Sequence, residues 1–200
     1  MYKVNEIFLS IQGEGMRTGT ANVFVRFSHC NLKCNVKEHG FDCDTDYTGS
    51  EDVTLDELCN RIDDIAEGCK AIIFTGGEPA LQVDAALVDQ LKHRGYYLAI
   101  ETNGTVGNPT LALLDWVTVS PKTAEHTIRV DTCDEVKYVL PADKQPPVPT
   151  TTANHYLLSP AFDGNEIDRE ALKWCVSQVK RATKTPWTLS VQNHKFWKCR

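Results

Sequence analysis

The sequence predicts an α/β fold: a shortened, open, TIM-like barrel of parallel strands joined by helical crossovers. Three observations carry it. Short β-rich runs alternate with helical patterns, and such alternation implies parallel strands with crossover helices. The chain has 200 residues, whereas a closed eight-unit barrel takes about 250. The segment 122–134 has no helical periodicity, so the set of units is incomplete. A doubly wound sheet is the structural rival.

The strand runs are 22–27, 71–75, 97–101, 116–120, 135–140, 155–159 and 188–191, each rich in β-branched or aromatic residues. A capping box, Thr54-Leu55-Asp56-Glu57, opens the first helix, whose apolar stripe is Leu55, Leu58, Cys59, Ile62 and Ile65. The second helix covers 84–94 and is stopped by Gly95. Pro109 opens a short third, with Asn108 as its cap. The last covers 168–182, with Leu172, Cys175, Val176 and Val179 on one face. The Pro/Thr-rich stretch 145–152 reads as a loop, and residues 1–200 as one domain.

Polar residues follow the strands with a consistent placement: Ser28-His29-Cys30, Gly76-Gly77-Glu78-Pro79, Thr102-Asn103-Gly104, Pro121-Lys122, Pro160 and Gln192-Asn193-His194-Lys195. In a parallel barrel the ends of the strands share one rim, where active sites are built. The scattered segments thus reduce to one candidate site.

Composition excludes several classes. A net charge of −6 without a basic block argues against a nucleic-acid binder. No apolar run approaches the ~18 residues of a membrane helix, and the first residues have no signal-peptide core. A cytoplasmic location without membrane association is the expectation. Eight cysteines are too sparse for a disulfide scaffold, but Cys30, Cys34 and Cys43 fall within fourteen residues.

Three readings compete for that cluster. Buried thiols would sit on an apolar periodic face, yet the neighbours are Asn31, Lys33, Asn35, Asp42 and Asp44. A structural zinc site wants four ligands, with His29 or His39 as the fourth. An iron–sulfur cluster on three thiolates leaves one iron without a protein ligand, where a cofactor can bind.

The wider motif set resembles the radical S-adenosylmethionine superfamily, whose cluster motif follows the first barrel strand and whose second marker is matched by Gly76-Gly77-Glu78-Pro79. The resemblance narrows to the 7-carboxy-7-deazaguanine synthase family. It rests on Asn5-Glu6-Ile7-Phe8, Ile11-Gln12-Gly13-Glu14-Gly15, Val25-Arg26, Cys43-Asp44-Thr45-Asp46, Thr75-Gly76-Gly77-Glu78-Pro79, Glu101-Thr102-Asn103-Gly104, Ser120-Pro121-Lys122 and Gln192-Asn193-His194-Lys195. One departure stands out. The cluster motif here is C-x3-C-x8-C, where the family commonly has two residues before its third cysteine.

The resemblance implies a lyase that contracts the ring of 6-carboxy-5,6,7,8-tetrahydropterin to 7-carboxy-7-deazaguanine with loss of ammonia. It implies a 4Fe-4S cluster on Cys30, Cys34 and Cys43. S-adenosylmethionine would lie near Asp42, Cys43, Asp44, Gly77, Glu78, Ser120, Pro121, Lys122, Ser159, Pro160, Ala161 and Phe162. Family members commonly have glutamine where Ser159 stands. Thr45 would ligate Mg2+ together with the substrate carboxylate; its bland reading is a turn threonine. Ile11, Gln12, Gly13, Arg26 and Thr75 would contact the pterin, Arg26 pairing with a carboxylate through its planar fork. Gln192 and His194 lie near the family's substrate pocket. Flavodoxin or ferredoxin is the implied electron donor and a homodimer the implied assembly. The alternatives are a radical activase of a partner protein and a non-catalytic zinc-binding module.

Overall fold

The computed structural model describes residues 1–32, 34, 49–163, 166–181 and 184–199. The first strands are β1 (Tyr2–Ile11), β2 (Ala21–Phe27) and β3 (Glu51–Val53). Next come β4 (Ala71–Gly76), β5 (Tyr97–Thr102), β6 (Trp116–Val119), β7 (Thr132–Leu140) and β8 (Thr152–Pro160). A two-residue hairpin pair, β9 (Phe162–Asp163) and β10 (Glu166–Ile167), precedes β11 (Trp187–Leu189).

The large sheet has the order β11-β8-β7-β6-β5-β4-β2-β1-β3 and does not close on itself. β2, β4, β5, β6, β7, β8 and β11 run parallel, and these are the seven runs read as strands from the sequence. β1 is antiparallel to both β2 and β3. It carries a register shift between Val4 and Glu6, which interrupts the alternation that would announce a strand.

The helices begin where short polar side chains can satisfy orphan amide groups. α1 (Leu55–Ala66) is capped by Thr54, whose hydroxyl accepts from the Glu57 amide at 3.3 Å. Asp84 caps α2 (Ala85–His93), and Asp168 caps α3 (Arg169–Val179). The Pro109–Leu113 helix is 3-10 in type, with Asn108 as its cap. α3 ends sooner than the reading to 182, because its apolar stripe stops at Val179 and Lys180 and Arg181 follow. A further short helix, α4 (Asn193–Trp197), lacks a periodic signal. Among the described residues no helix is long and apolar enough to cross a membrane.

The core lies between the helices and one face of the sheet. Phe27, Phe74, Ile100, Val119 and Val136 meet Leu58, Ile62, Leu87 and Leu91, all at most 0% exposed. Truncating such a leucine typically costs about 2–5 kcal/mol. The opposite, concave face is mixed: Ile73, Ala99 and Leu157 lie on it beside a row of polar residues. Arg26 pairs in register with Thr75, while Glu101, Thr118 and Glu135 are successive register partners on β5, β6 and β7. Because Phe74 pairs with Ile100, Thr75 and Glu101 each stand one residue farther along, at the same level. Alternation across a strand therefore separates an apolar helix-facing side from an opposite side that carries the charged and hydroxyl residues.

Non-local contacts tie the two ends of the open sheet together. The tip of the β1–β2 hairpin reaches the chain after β11: the Gly15 amide donates to Ser190 Oγ at 2.9 Å, and the Asn193 amide donates to the Gly13 carbonyl at 2.9 Å. A Cβ on Gly13 would lie 2.4 Å from His194 Nδ1, so glycine permits this approach.

Candidate active site

The rim starts with the loop after β2. The Gly77 amide donates to the Phe27 carbonyl at 3.0 Å and the Glu78 amide to the His29 carbonyl at 2.8 Å. Gly76 sits at φ +120, and a Cβ on Gly77 would lie 1.9 Å from the His29 carbonyl oxygen. Two glycines are therefore what lets the loop after β4 lie against the backbone that leads into Cys30. Across the same junction, Ser28 Oγ donates to the Gly49 carbonyl, holding the return from the cysteine segment.

Glu78 is fully buried. Its carboxylate accepts from the Ala80 amide at 2.9 Å, Thr102 Oγ1 at 2.6 Å and the Asn103 amide at 2.7 Å. Burial pushes its carboxyl up, against the lowering effect of those three donors. The side chain thus acts as a buckle between the β4 and β5 loops. Asn103, so placed, directs Nδ2 toward Cys30 Sγ (3.9 Å) and Asn31 Oδ1 (3.1 Å). The Leu32 amide also donates to Cys30 Sγ, at 3.4 Å. Two N–H groups are thus aimed at this sulfur. Cys34, like Cys30, is half-buried.

Next along the rim, the Ser120 amide donates to the Thr102 carbonyl at 2.8 Å, and Lys122 Nζ donates to Ser120 Oγ at 2.9 Å. Ser120 leads directly into Pro121. On β8, Ser159 is fully buried and its hydroxyl has no hydrogen-bond partner among the described residues. Ser159 is the register partner of Val139, two residues past Lys137, so it stands on the cavity side. An orphaned buried hydroxyl here fits a polar ligand over the rim. Pro160, Ala161 and Phe162 continue from it, and Phe162 meets Phe196 with ring centroids 6.1 Å apart.

Below the rim, charges converge on the concave face. Arg26 Nε donates to Glu6 Oε1 at 2.7 Å. Gln12 Nε2 donates to Glu101 Oε1 at 2.6 Å, and Thr118 Oγ1 to Glu135 Oε1 at 2.8 Å. The Met16 amide reaches the other Glu135 oxygen at 2.9 Å. Lys137 Nζ is paired with Glu14 Oε2, and Gln192 Nε2 donates to Glu14 Oε1 at 3.0 Å, with His194 Nδ1 at 4.0 Å. Burial alone would raise the Glu14 carboxyl. The Lys137 ammonium, helped by Gln192 and His194, outweighs burial and holds it down to about 2. Lys137 is correspondingly held above the ordinary lysine range, Glu14 and Glu101 overcoming its desolvation.

The expected residues therefore fall into four groups. Cys30, Cys34, Gly77, Glu78, Ser120, Pro121, Lys122, Ser159, Pro160, Ala161 and Phe162 stand at or just beyond the ends of parallel strands. Arg26 and Thr75 lie on the concave face beneath them, and Gln12 and Gly13 enter it from the hairpin tip. Ile11 is 40% exposed at the end of β1 and pairs with Ala21. Asp42, Cys43, Asp44 and Thr45 lie outside the described residues. Residues 192–195, expected on the strand-end rim, are tied to the hairpin tip. Glu6 and Glu14 stand in segments that carry the family resemblance but were given no role of their own, and Glu135 and Lys137 were read only as part of a strand; the period-two charges of Glu135 and Lys137 beside Val136 and Tyr138 are the signal that marks a polar strand face.

Residues 11–108 match a family described as a 4Fe-4S single cluster domain. The chain is 42% identical over 200 residues to the 7-carboxy-7-deazaguanine synthase of Bacteroides thetaiotaomicron, covering 98% of this chain and 97% of the relative. It is 39% identical over 220 residues to the same-named protein of Nitratidesulfovibrio vulgaris and 36% over 214 to that of Caulobacter vibrioides, each covering 98% of this chain and 97% of the relative. In fold it is similar to the crystal structure of QueE from Escherichia coli, with a TM-score of 0.71 at 22% identity, covering 96% of this chain and 94% of that one.

Proposed function

The chain belongs to the 7-carboxy-7-deazaguanine synthase family, and from that membership we propose how its residues divide the family's reaction. The activity is that of a radical S-adenosylmethionine lyase: it converts 6-carboxy-5,6,7,8-tetrahydropterin to 7-carboxy-7-deazaguanine with loss of ammonia, within 7-deazapurine (queuosine-type) biosynthesis. The observation that carries the division of roles is the charge pattern of the concave face. Arg26 stands at one end of a register level whose other end is lined by Glu101 and Glu135. A pterin has a carboxylate at one end and ring N–H donors at the other, which suits that polarity.

Cys30, Cys34 and Cys43 are the residues that would hold the 4Fe-4S cluster. Bound there and reduced, the cluster with S-adenosylmethionine would supply radical chemistry to the substrate carbon that bears the carboxylate. The protein's part is orientation and exclusion of water. The Gly76-Gly77 backbone, Ser120, Pro121, Lys122, the Ser159 hydroxyl, Pro160, Ala161 and Phe162 would line the cofactor, with Asp42, Cys43 and Asp44 beside it. Glu78 keeps that lining in shape through its bonds to Ala80, Thr102 and Asn103. Ile11, Gln12, Gly13 and Thr75 would meet the pterin, and Arg26 its carboxylate. Thr45 would ligate Mg2+ with that carboxylate, since magnesium takes oxygen ligands and retains places for substrate. Reduction by flavodoxin or ferredoxin and assembly into a homodimer rest on the family likeness.

Metal analysis of anaerobically purified protein tests the cluster assignment. Iron and acid-labile sulfide in equal amounts are expected, lost in Cys30→Ala, Cys34→Ala or Cys43→Ala and kept in Cys59→Ala and Cys175→Ala, whose thiols are buried in the core. Stoichiometric zinc without sulfide would refute it.

A further inference from the structure

We propose that Glu6 is a positioning residue for Arg26, delivered to it by the β-bulge at Asn5, so that the substrate carboxylate is taken on the Nη edge of the guanidinium. The inference rests on the reading of Arg26 as the carboxylate-binding residue. Its starting point is the register of β1. Val4 pairs with Phe27 and Glu6 with Arg26, which leaves Asn5 as the extra residue. Before the bulge, the even-numbered Tyr2 and Val4 are buried in the core, at 5% and 3% exposure. Beyond it, the odd-numbered Ile7 and Leu9 pack against that core. The bulge has exchanged the two faces of the strand.

Without that exchange Glu6 would follow Tyr2 and Val4 into the core, where an unpaired carboxylate is costly. With it, Glu6 and Phe8 stand on the concave side, opposite Arg26 and Phe24. Bulges commonly serve to re-aim a side chain in this way. Glu6 Oε1 then takes the Nε–H of Arg26 at 2.7 Å. The Phe8 ring lies under the guanidinium at 5.7 Å and is itself stacked on Phe24, centroids 5.2 Å apart and planes within 6°. A carboxylate on one edge and a ring beneath it restrict both rotation and tilt of the guanidinium. Among the described residues no side chain bonds its Nη atoms, and these form the second, parallel pair of donors that a carboxylate can accept.

The pair is not a device for stability. The two side chains are 21% and 23% exposed, so the pair stands partly in solvent, where ion pairs stabilise little. What it fixes is direction.

The test is equilibrium binding to the anaerobic holoenzyme with S-adenosylmethionine present, using 6-carboxypterin and pterin, which differ only in the carboxylate. Wild type is expected to prefer 6-carboxypterin, and Arg26→Gln to lose that preference. Glu6→Gln should reduce the preference roughly tenfold, the loss of one well-oriented hydrogen bond to a charged group, with pterin affinity unchanged. Glu6→Asp, which keeps the charge, should retain more of it. If Glu6→Gln keeps the full preference while Arg26→Gln loses it, the positioning role is wrong and the carboxylate reading survives. Equal weakening of both ligands in Glu6→Gln would make Glu6 merely structural and overturn the proposal. A wild type without the preference, or an Arg26→Gln that keeps it, overturns the reading of Arg26 and the proposal with it.

Discussion

Replacing Lys137 with Met removes one charge from the most deeply buried ion pair of the concave face, where the side chains are 6% and 13% exposed. In the wild type Glu14 is held down to about 2, from an ordinary 4.5, because Lys137, Gln192 and His194 outweigh burial. A carboxyl with a depressed native pKa contributes stability that is fully present above 4.5 and is lost as the pH falls through about 2. Among the described residues, Lys137→Met leaves that carboxylate with side-chain partners Gln192 and the distant His194. Breaking one side of a buried pair costs about 3–5 kcal/mol. At about 2–4 °C per kcal/mol for a chain of this size, the melting temperature at pH 7 should fall by roughly 6–20 °C. The sign of the pH dependence then reverses: burial now raises the Glu14 carboxyl above its unfolded value, so the deficit relative to wild type should shrink as the pH is lowered from 7 to 5. Adding Glu14→Gln should restore most of the loss. The assay is anaerobic thermal unfolding followed by circular dichroism at both pH values. A deficit equal at pH 7 and pH 5, or a double variant no better than Lys137→Met, would mean that the packing of the lysine stem rather than its charge was at stake.

Gly77→Ala would place a Cβ 1.9 Å from the His29 carbonyl, so the loops after β2 and β4 must part. Iron retention and S-adenosylmethionine affinity should both fall while far-ultraviolet dichroism stays near wild type; unchanged iron content would refute the coupling of the two loops. Thr45→Ala should weaken the dependence of turnover on magnesium and slow it, with the cluster absorbance preserved. Thr45→Ser, which keeps the hydroxyl, should retain more activity. Wild-type turnover indifferent to magnesium after chelation would end the assignment of Thr45.

Local chemistry made much of the fold legible. Thr54 and Asn108 cap the helices they were expected to cap, and Asp84 and Asp168, read as the first residues of theirs, cap them too, because capping acts within three residues. The parallel strands were legible for a related reason, as β-rich runs separated by crossovers. β1 was not, since the bulge at Asn5 moves its apolar positions from even to odd numbers halfway along. The rim segments were visible as polar residues after strands, but their roles were not. Glu78 reads from sequence as a residue for the cofactor, and the bonds of its carboxylate to two amides and a hydroxyl are a structural part that no motif announces. The union of Glu14 with Lys137 and Gln192 joins positions more than a hundred residues apart, and no local pattern encodes such a meeting. The same is true of the hairpin tip bonded to the chain after β11.

The central claim is chemical, and one measurement addresses it directly: anaerobic incubation of the reconstituted wild-type protein with S-adenosylmethionine, a reductant and 6-carboxy-5,6,7,8-tetrahydropterin, followed by mass analysis. The expected product is lighter than the substrate by one ammonia, co-elutes with 7-carboxy-7-deazaguanine, and forms over many turnovers. Intact pterin after S-adenosylmethionine has been cleaved would contradict the account.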